Sequence, residues 1–176
     1  MLTVGHGTLA QEELARLLEG AGVGTLVDVR RFPGSRRHPH VARDELERWV
    51  PDLGIGYRWM PDLGGRRRTD PQQRDADPWW RVEAFRAYAA YTRTDGFRSA
   101  MADLLGLVAA SERPVAVMCS ETVWWRCHRR LISDVAVLLH GVDVQHLAHD
   151  GRRSLHPVSA GARVTKEGLV YDQDVP

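Results

Sequence analysis

The sequence predicts an α/β fold: one domain with a central, largely parallel sheet flanked by helices in three layers. Three observations carry this. Short β-branched runs alternate with longer amphipathic stretches along most of the 176 residues. Those runs are four or five residues long and nearly free of polar residues, as buried parallel strands are. Turn formers separate them, with no internal repeat and no low-complexity linker, so the alternation belongs to a single α/β unit.

Leu2-Thr3-Val4-Gly5 is the first strand, short and apolar. Thr8 is placed to cap a helix running to Ala21, with Leu14, Leu17 and Leu18 on one face and Gly22 and Gly24 ending it. Thr25 to Val29 is a second strand, β-branched enough to be central. Arg30 to Val41 is too rich in Pro and Arg for core and is a loop. Ala42 to Leu53 has helical periodicity, and Gly56-Tyr57-Arg58-Trp59 follows as a third strand. Pro61 to Pro78 is a second long loop, and loops longer than about 12–15 residues in compact domains usually carry function or lack order. Trp79 to Tyr91 and Phe97 to Ala110 form two helices around the break at Thr94-Asp95-Gly96. Val115 to Met118 is a strand, Arg126 to His140 a helix, and Val142 to Leu147 the closing strand. The tail from about 152 to 176 patterns more weakly, with a hairpin-like stretch at Val164 to Tyr171.

Composition is that of a globular chain, with 43% hydrophobic and 27% charged residues. No apolar run approaches the ~18 residues a membrane helix needs, and no signal peptide is visible, so the expectation is a cytoplasmic protein without a membrane partner. Two cysteines make no secreted disulfide framework. Of the 24 basic residues only Lys166 is lysine, a bias that GC-rich coding explains. It does not explain the clusters Arg30-Arg31, Arg36-Arg37, Arg66-Arg67-Arg68 and Arg129-Arg130. Arginine forks bind phosphates and carboxylates bidentately. A net charge of +1 argues against broad, non-specific duplex binding.

Both cysteines fall in the window from Val115 to Arg130. Cys119 ends the apolar run, where a parallel sheet opens its ligand crevice, and the helix that follows favours a thiolate. Cys119 is therefore either a nucleophile or a buried, inert thiol. As a nucleophile it has Arg126 and Arg129 to lower its pKa and hold an anion, Glu121 or His128 as acid or base, and Cys127 as a resolving thiol. Cys119, Cys127 and His128 also resemble a metal set, but the close C-x₂₋₄-C pair of structural zinc sites is absent, so no metal or other cofactor is expected. His6, in Gly5-His6-Gly7, reaches the same sheet edge. Asp28, within an apolar strand, needs a partner such as Arg30. The loops carrying Arg36 and Arg66 both follow strands and can cradle an anionic small molecule or a nucleotide. Of Trp124 and Trp125, one is expected buried and one partly exposed.

Taken together, Val4-Gly5-His6-Gly7, Leu26 through Arg37, Leu63-Gly64-Gly65-Arg66, Phe85-Arg86-Ala87-Tyr88 and Met118-Cys119-Ser120-Glu121 with Arg126-Cys127-His128-Arg129 resemble the DUF488 family over about residues 2–160. That resemblance implies a cytoplasmic α/β protein and brings no activity. Val27-Asp28-Val29-Arg30 and the strand ending in Cys119 are also similar to rhodanese domains and related cysteine phosphatases, and the three-layer arrangement expected is rhodanese-like or Rossmann-like. The chain departs from that pattern after Cys119, where the segment is longer, has no glycine and contains Glu121. Three functions stay open: a cysteine-dependent enzyme for a sulfur- or phosphate-bearing anion, a nucleotide or nucleic-acid protein using the arginine loops with Glu121 and His128, and a redox-sensing module built on Cys119 and Cys127.

Overall fold

The computed structural model describes residues 1–34, 37–68 and 76–173. Its elements run β1 (Leu2–Gly5), α1 (Gln11–Gly20), β2 (Thr25–Asp28), α2 (Arg43–Asp52), β3 (Gly56–Trp59), α3 (Glu83–Thr92), α4 (Asp95–Ala110), β4 (Val115–Cys119), α5 (Arg129–His140), β5 (Gln145–Leu147), β6 (Arg153–Leu155), β7 (Ala162–Thr165) and β8 (Gly168–Tyr171). Six strands form one sheet in the order β3-β2-β4-β1-β5-β6. All neighbours pair parallel except β6, which lies antiparallel on β5.

Alternation along the strands sorts the core into two halves. Leu2, Val4, Leu26, Ala116 and Met118 pack with α1 and α2 through Leu14, Leu18, Leu46 and Trp49. Val27, Val115, Val117 and Cys119 face the other way, onto Tyr88 of α3, Met101 and Leu104 of α4, and Leu131 and Ile132 of α5. The connections through α1 and α2 step in one direction along the sheet, and those through α3, α4 and α5 step back over the opposite face. A single crossover handedness requires this. Consequently β1 and β4, which are neighbours, send their chains to opposite faces. The crevice between their C-terminal ends is the switch point where open α/β sheets bind ligands.

Several expected boundaries move. Helix α1 starts after Ala10, not at Thr8, because His6 to Leu9 close a turn (Leu9 N–H to His6 O, 3.0 Å). The Glu13 carboxylate then accepts the Ala10 N–H at 2.8 Å and caps the helix. Helix α3 begins at Glu83 rather than Trp79: the Trp79 N–H bonds to Tyr171 O at 3.1 Å, and Trp80 packs between Phe85 and Tyr171. Helix α5 begins at Arg129 rather than Arg126, because Trp124–Arg126 form a 3-10 turn and Cys127 is extended (φ −124°, ψ 151°). The closing strand shortens to Gln145–Leu147.

The tail is tied back through a buried polar chain. Asp134 of α5 accepts from His156 (2.9 Å), the Ser159 N–H (2.9 Å) and the Tyr171 hydroxyl (3.1 Å). His156 meets His146 at 2.9 Å, and His146 meets Thr3 of β1 at 2.7 Å. The β7–β8 hairpin places Leu169 and Tyr171 in the core. Among the described residues, no helix is long and apolar enough to cross a membrane.

Candidate functional site

A cavity of about 540 Å³ opens at the β1/β4 switch point. Its floor is the strand ends and its walls are the loops after β1, β2, β3 and β4, with Phe85 and Tyr88 of α3 closing one side. The β1 and β4 loops are zipped together by backbone bonds, His6 N–H to Cys119 O and Gly7 N–H to Ser120 O, both 3.0 Å. The segment from Glu121 to Thr122 crosses directly over Gly5, and a Cβ at that position would occupy the space of the Glu121 carbonyl. Gly5 is therefore required by close approach.

At the base of the cavity three donor atoms converge. The sulfurs of Cys119 and Cys127 lie 3.9 and 3.6 Å from His128 Nδ1, and all three atoms are within 4.8 Å of one another. The extended backbone at Cys127 makes this possible, turning its side chain back beneath the strand end. Arg129, 1% exposed, backs the cluster. Its N–H and Nε donate to Cys127 Sγ at 3.5 and 3.4 Å, while the far end of its guanidinium donates to the carbonyls of Glu121 and Thr122. One side chain thus fixes both a sulfur and the loop over Gly5.

The two thiols titrate in opposite directions. Cys119 is pushed up to about 12, because its S–H donates to Cys127 and because it is buried. Burial also works against ionising Cys127, yet the hydrogen bond from Cys119 and the adjacent Arg129 together bring it down to about 6. Arg129 thus favours ionisation at Cys127, while burial and the neighbouring sulfur disfavour it at Cys119. Arg129 is held against Cys127 rather than Cys119, and Arg126 lines the cavity. The arrangement has two chemical capacities, a stabilised thiolate and a soft N/S donor set for a metal.

The remaining expected residues sort by what they touch. His6, Arg30, Arg66, Glu121, Arg126 and His128 line the cavity. Asp28 does not: both carboxylate oxygens are engaged, Oδ1 by the Arg30 N–H and Nε (3.0 and 2.8 Å), Oδ2 by Arg30 (2.6 Å) and the Tyr57 hydroxyl (2.9 Å). The partner that its burial demanded is Arg30. His6 accepts from Arg30 at 3.3 Å, and its Nδ1 bonds to Gly7 O at 3.0 Å. Burial first, then the Arg30 charge, lowers its pKa to about 4, so it is neutral at pH 7. Arg36 lies outside the described residues. Arg66 and Arg126 are exposed at the rim, and among the described residues neither guanidinium has a hydrogen-bond or ion-pair partner. Trp124 stacks on His146 (4.0 Å, 6°) and is half-buried, while Trp125 is exposed, so neither is core.

Helix α3 supplies what the sequence reasoning missed. The Tyr88 hydroxyl donates to Leu63 O at 2.6 Å and its ring lies 5.1 Å from that of His128. Tyr91 donates to Asp62 O at 2.8 Å, and Arg67 binds the Gly64 carbonyl at 2.9 Å while covering the Tyr91 ring. Together they hold Gly65 against His128, where a Cβ would come within 2.8 Å of Nδ1. They also hold Arg66 in the left-handed region at φ 58°. The signal was present in the Phe85-Arg86-Ala87-Tyr88 stretch, but only the fold shows its use.

Comparison with known proteins adds a family and nothing narrower. No curated protein and no solved structure matches the chain, so the likeness to rhodanese domains gains no support. One family model, described as a domain of unknown function, DUF488, matches residues 10–136, well over half the chain and including every sulfur of the cavity. The chain belongs to the DUF488 family.

Proposed function

We propose that this chain is a cysteine-dependent enzyme acting on a small anionic substrate, bearing phosphate or an oxidised sulfur group, at the β1/β4 crevice. The observation that supports this most is the convergence in one cavity of two guanidinium groups without a partner among the described residues, Arg66 and Arg126, with the Cys119–Cys127–His128 cluster. Guanidinium forks at a rim recognise an anion by charge and by paired hydrogen bonds. The backbone of Arg66 is held in a conformation unfavourable for a side chain, and such strain persists where surrounding structure over-determines it, commonly at functional sites. Roles follow from position. Arg66 and Arg126 hold the charged group, with Arg31 beside them at the same wall. The sulfur–imidazole cluster is where the held group reacts. Glu121, exposed above the cluster, is the acid or base that exchanges protons with solvent. Neutral His6 and Arg30, the latter anchored from behind by Asp28, form a rigid back wall.

Two alkylating agents of nearly equal size test this. In protein kept reduced and freed of metal by a chelator, negatively charged iodoacetate should modify the cluster faster, relative to neutral iodoacetamide, than it modifies a free thiol. The Arg66→Ala/Arg126→Ala variant should lose that preference, and inorganic phosphate should protect only the unaltered protein. An unchanged ratio in the double variant would remove the basis of the proposal.

A further inference from the structure

The three donor atoms have a second property, visible only in their separations. Zinc bonds of about 2.3 Å to sulfur and about 2.0–2.1 Å to nitrogen, set tetrahedrally, place S and N about 3.6 Å apart and two sulfurs about 3.8 Å apart. The observed S···Nδ1 distances are 3.6 and 3.9 Å, with no donor pair beyond 4.8 Å. We propose that Cys119 Sγ, Cys127 Sγ and His128 Nδ1 bind one Zn²⁺ ion whose fourth tetrahedral position faces the cavity.

Three further observations support the site. Gly65 has no side chain where a Cβ would press on His128 Nδ1, so the coordinating edge of the imidazole is left clear. The Arg129 N–H and Nε already donate to Cys127 Sγ, the outer-sphere bonding that orients a thiolate ligand and balances its charge. Glu121 lines the cavity but lies outside the donor group, so the described residues supply three ligands and leave one position for solvent or substrate, the pattern of catalytic rather than structural zinc. Linear spacing concealed the set: the strand-end Cys119 and the Cys127-His128 pair meet only because the intervening loop folds back over Gly5. Thiolate and imidazole donors select zinc over magnesium or calcium, which prefer oxygen.

Binding involves no redox step: two S–Zn bonds and one N–Zn bond form, and the protons still held by the thiols pass to solvent. This deepens the function proposed above and rests on it for the identity of the group at the fourth position. There an anionic substrate held by Arg66 and Arg126 would present an oxygen to the metal, whose charge would polarise it.

Metal-stripped, reduced protein should be titrated with Co²⁺ as a spectroscopic stand-in and with Zn²⁺ against a chromophoric chelator. The expected result is one equivalent bound, with a thiolate-to-cobalt charge-transfer band and the intense visible absorption of a tetrahedral site. One equivalent of Zn²⁺ should also block alkylation of both cysteines in the unaltered protein, a readout that needs no variant. Cys119→Ser should weaken zinc binding roughly 100-fold or more while leaving the circular dichroism spectrum unchanged. Failure of the reduced wild type to hold Zn²⁺ at micromolar free metal, or equal binding by a Cys119→Ser/Cys127→Ser protein, overturns the proposal. The Arg66→Ala/Arg126→Ala variant separates the two ideas. If it binds Zn²⁺ normally while wild type shows no anion preference, the metal site stands and the substrate assignment fails. If the anion preference holds and no metal binds, the reverse is true.

Discussion

Arg30 lies along Asp28 with two parallel contacts, Nε to Oδ1 at 2.8 Å and an amino group to Oδ2 at 2.6 Å, and turns its remaining amino group to His6 Nε2 at 3.3 Å. Both partners of the pair are buried. The carboxylate anchors a cation that would otherwise be stranded at the end of β2, and that cation fixes the imidazole at the end of β1. The back wall of the cavity is thus one hydrogen-bonded unit.

Asp28→Asn should be costly for that reason. Removing one charge of a buried pair leaves the other uncompensated, typically about 3–5 kcal/mol. The urea midpoint should fall accordingly, and Tyr57→Phe, which removes only the neutral donor to Oδ2, should cost about 1 kcal/mol. Equal losses for the two variants would mean that the pair is not what holds β2 to the wall.

Gly5 and Gly20 make a matched contrast. Gly5→Ala drives a methyl into the Glu121 backbone, whose carbonyl Arg129 holds in place, so the loop cannot yield cheaply. A loss of about 1–3 kcal/mol follows from such overpacking, together with slower reaction at the cluster. Gly20, at the end of α1, has open space within 4 Å of where a methyl would sit and no positive φ, so Gly20→Ala should gain up to about 1 kcal/mol. Thermal unfolding of both variants decides the matter; similar midpoints would show that the β4 loop does not press on β1.

Much of this architecture was legible in the sequence, and what was not has physical causes. The apolar runs at Leu2, Thr25 and Val115 read as strands because burial on both faces leaves no room for polar residues. Asp28 announced a partner because an unpaired buried carboxylate is too costly. The start of α5 did not read correctly, since Arg126-Cys127-His128 is compatible with a helix until Trp124 finds His146 to stack on and the chain closes a 3-10 turn at Trp124–Arg126. Trp79 and Trp80 misled in the same way, because a Tyr171 far along the chain sets their place. The pairing of Cys127 with Arg129 was hidden most deeply. It depends on an extended residue, a returning loop and a buried arginine, none of which has a local signature.

Stability should also follow pH through two buried histidines. Burial lowers His6 to about 4 and His146 to about 3, with Arg30 adding to the first effect and His156 to the second. In the unfolded chain both titrate near 6.5, so between pH 6.5 and 4 the unfolded state binds more protons than the folded one. Stability therefore rises with pH across that window, is complete above 6.5, and is lost as pH falls. Urea midpoints from pH 7.5 to 4.5 should show this slope, and His146→Gln should flatten it. A midpoint independent of pH over that range would mean that neither ring is held neutral by the fold.

Arg66 gives the sharpest separation of stability from function. Its φ of 58° suits glycine, and nothing among the described residues holds its guanidinium. Arg66→Gly removes the strain of a side chain in the left-handed region, about 1 kcal/mol or slightly more, while the freer unfolded chain takes back about 0.4–1 kcal/mol. The variant should be as stable as wild type within about 0.5 kcal/mol, or slightly more stable. It should nevertheless lose the preference for iodoacetate over iodoacetamide, because the rim cation is gone. Arg66→Ala should lose the same preference without the relief of strain and so serves as the comparison. If Arg66→Gly is clearly destabilised, the residue is there to hold the loop; if it keeps its anion preference, Arg126 alone sets the charge at the rim.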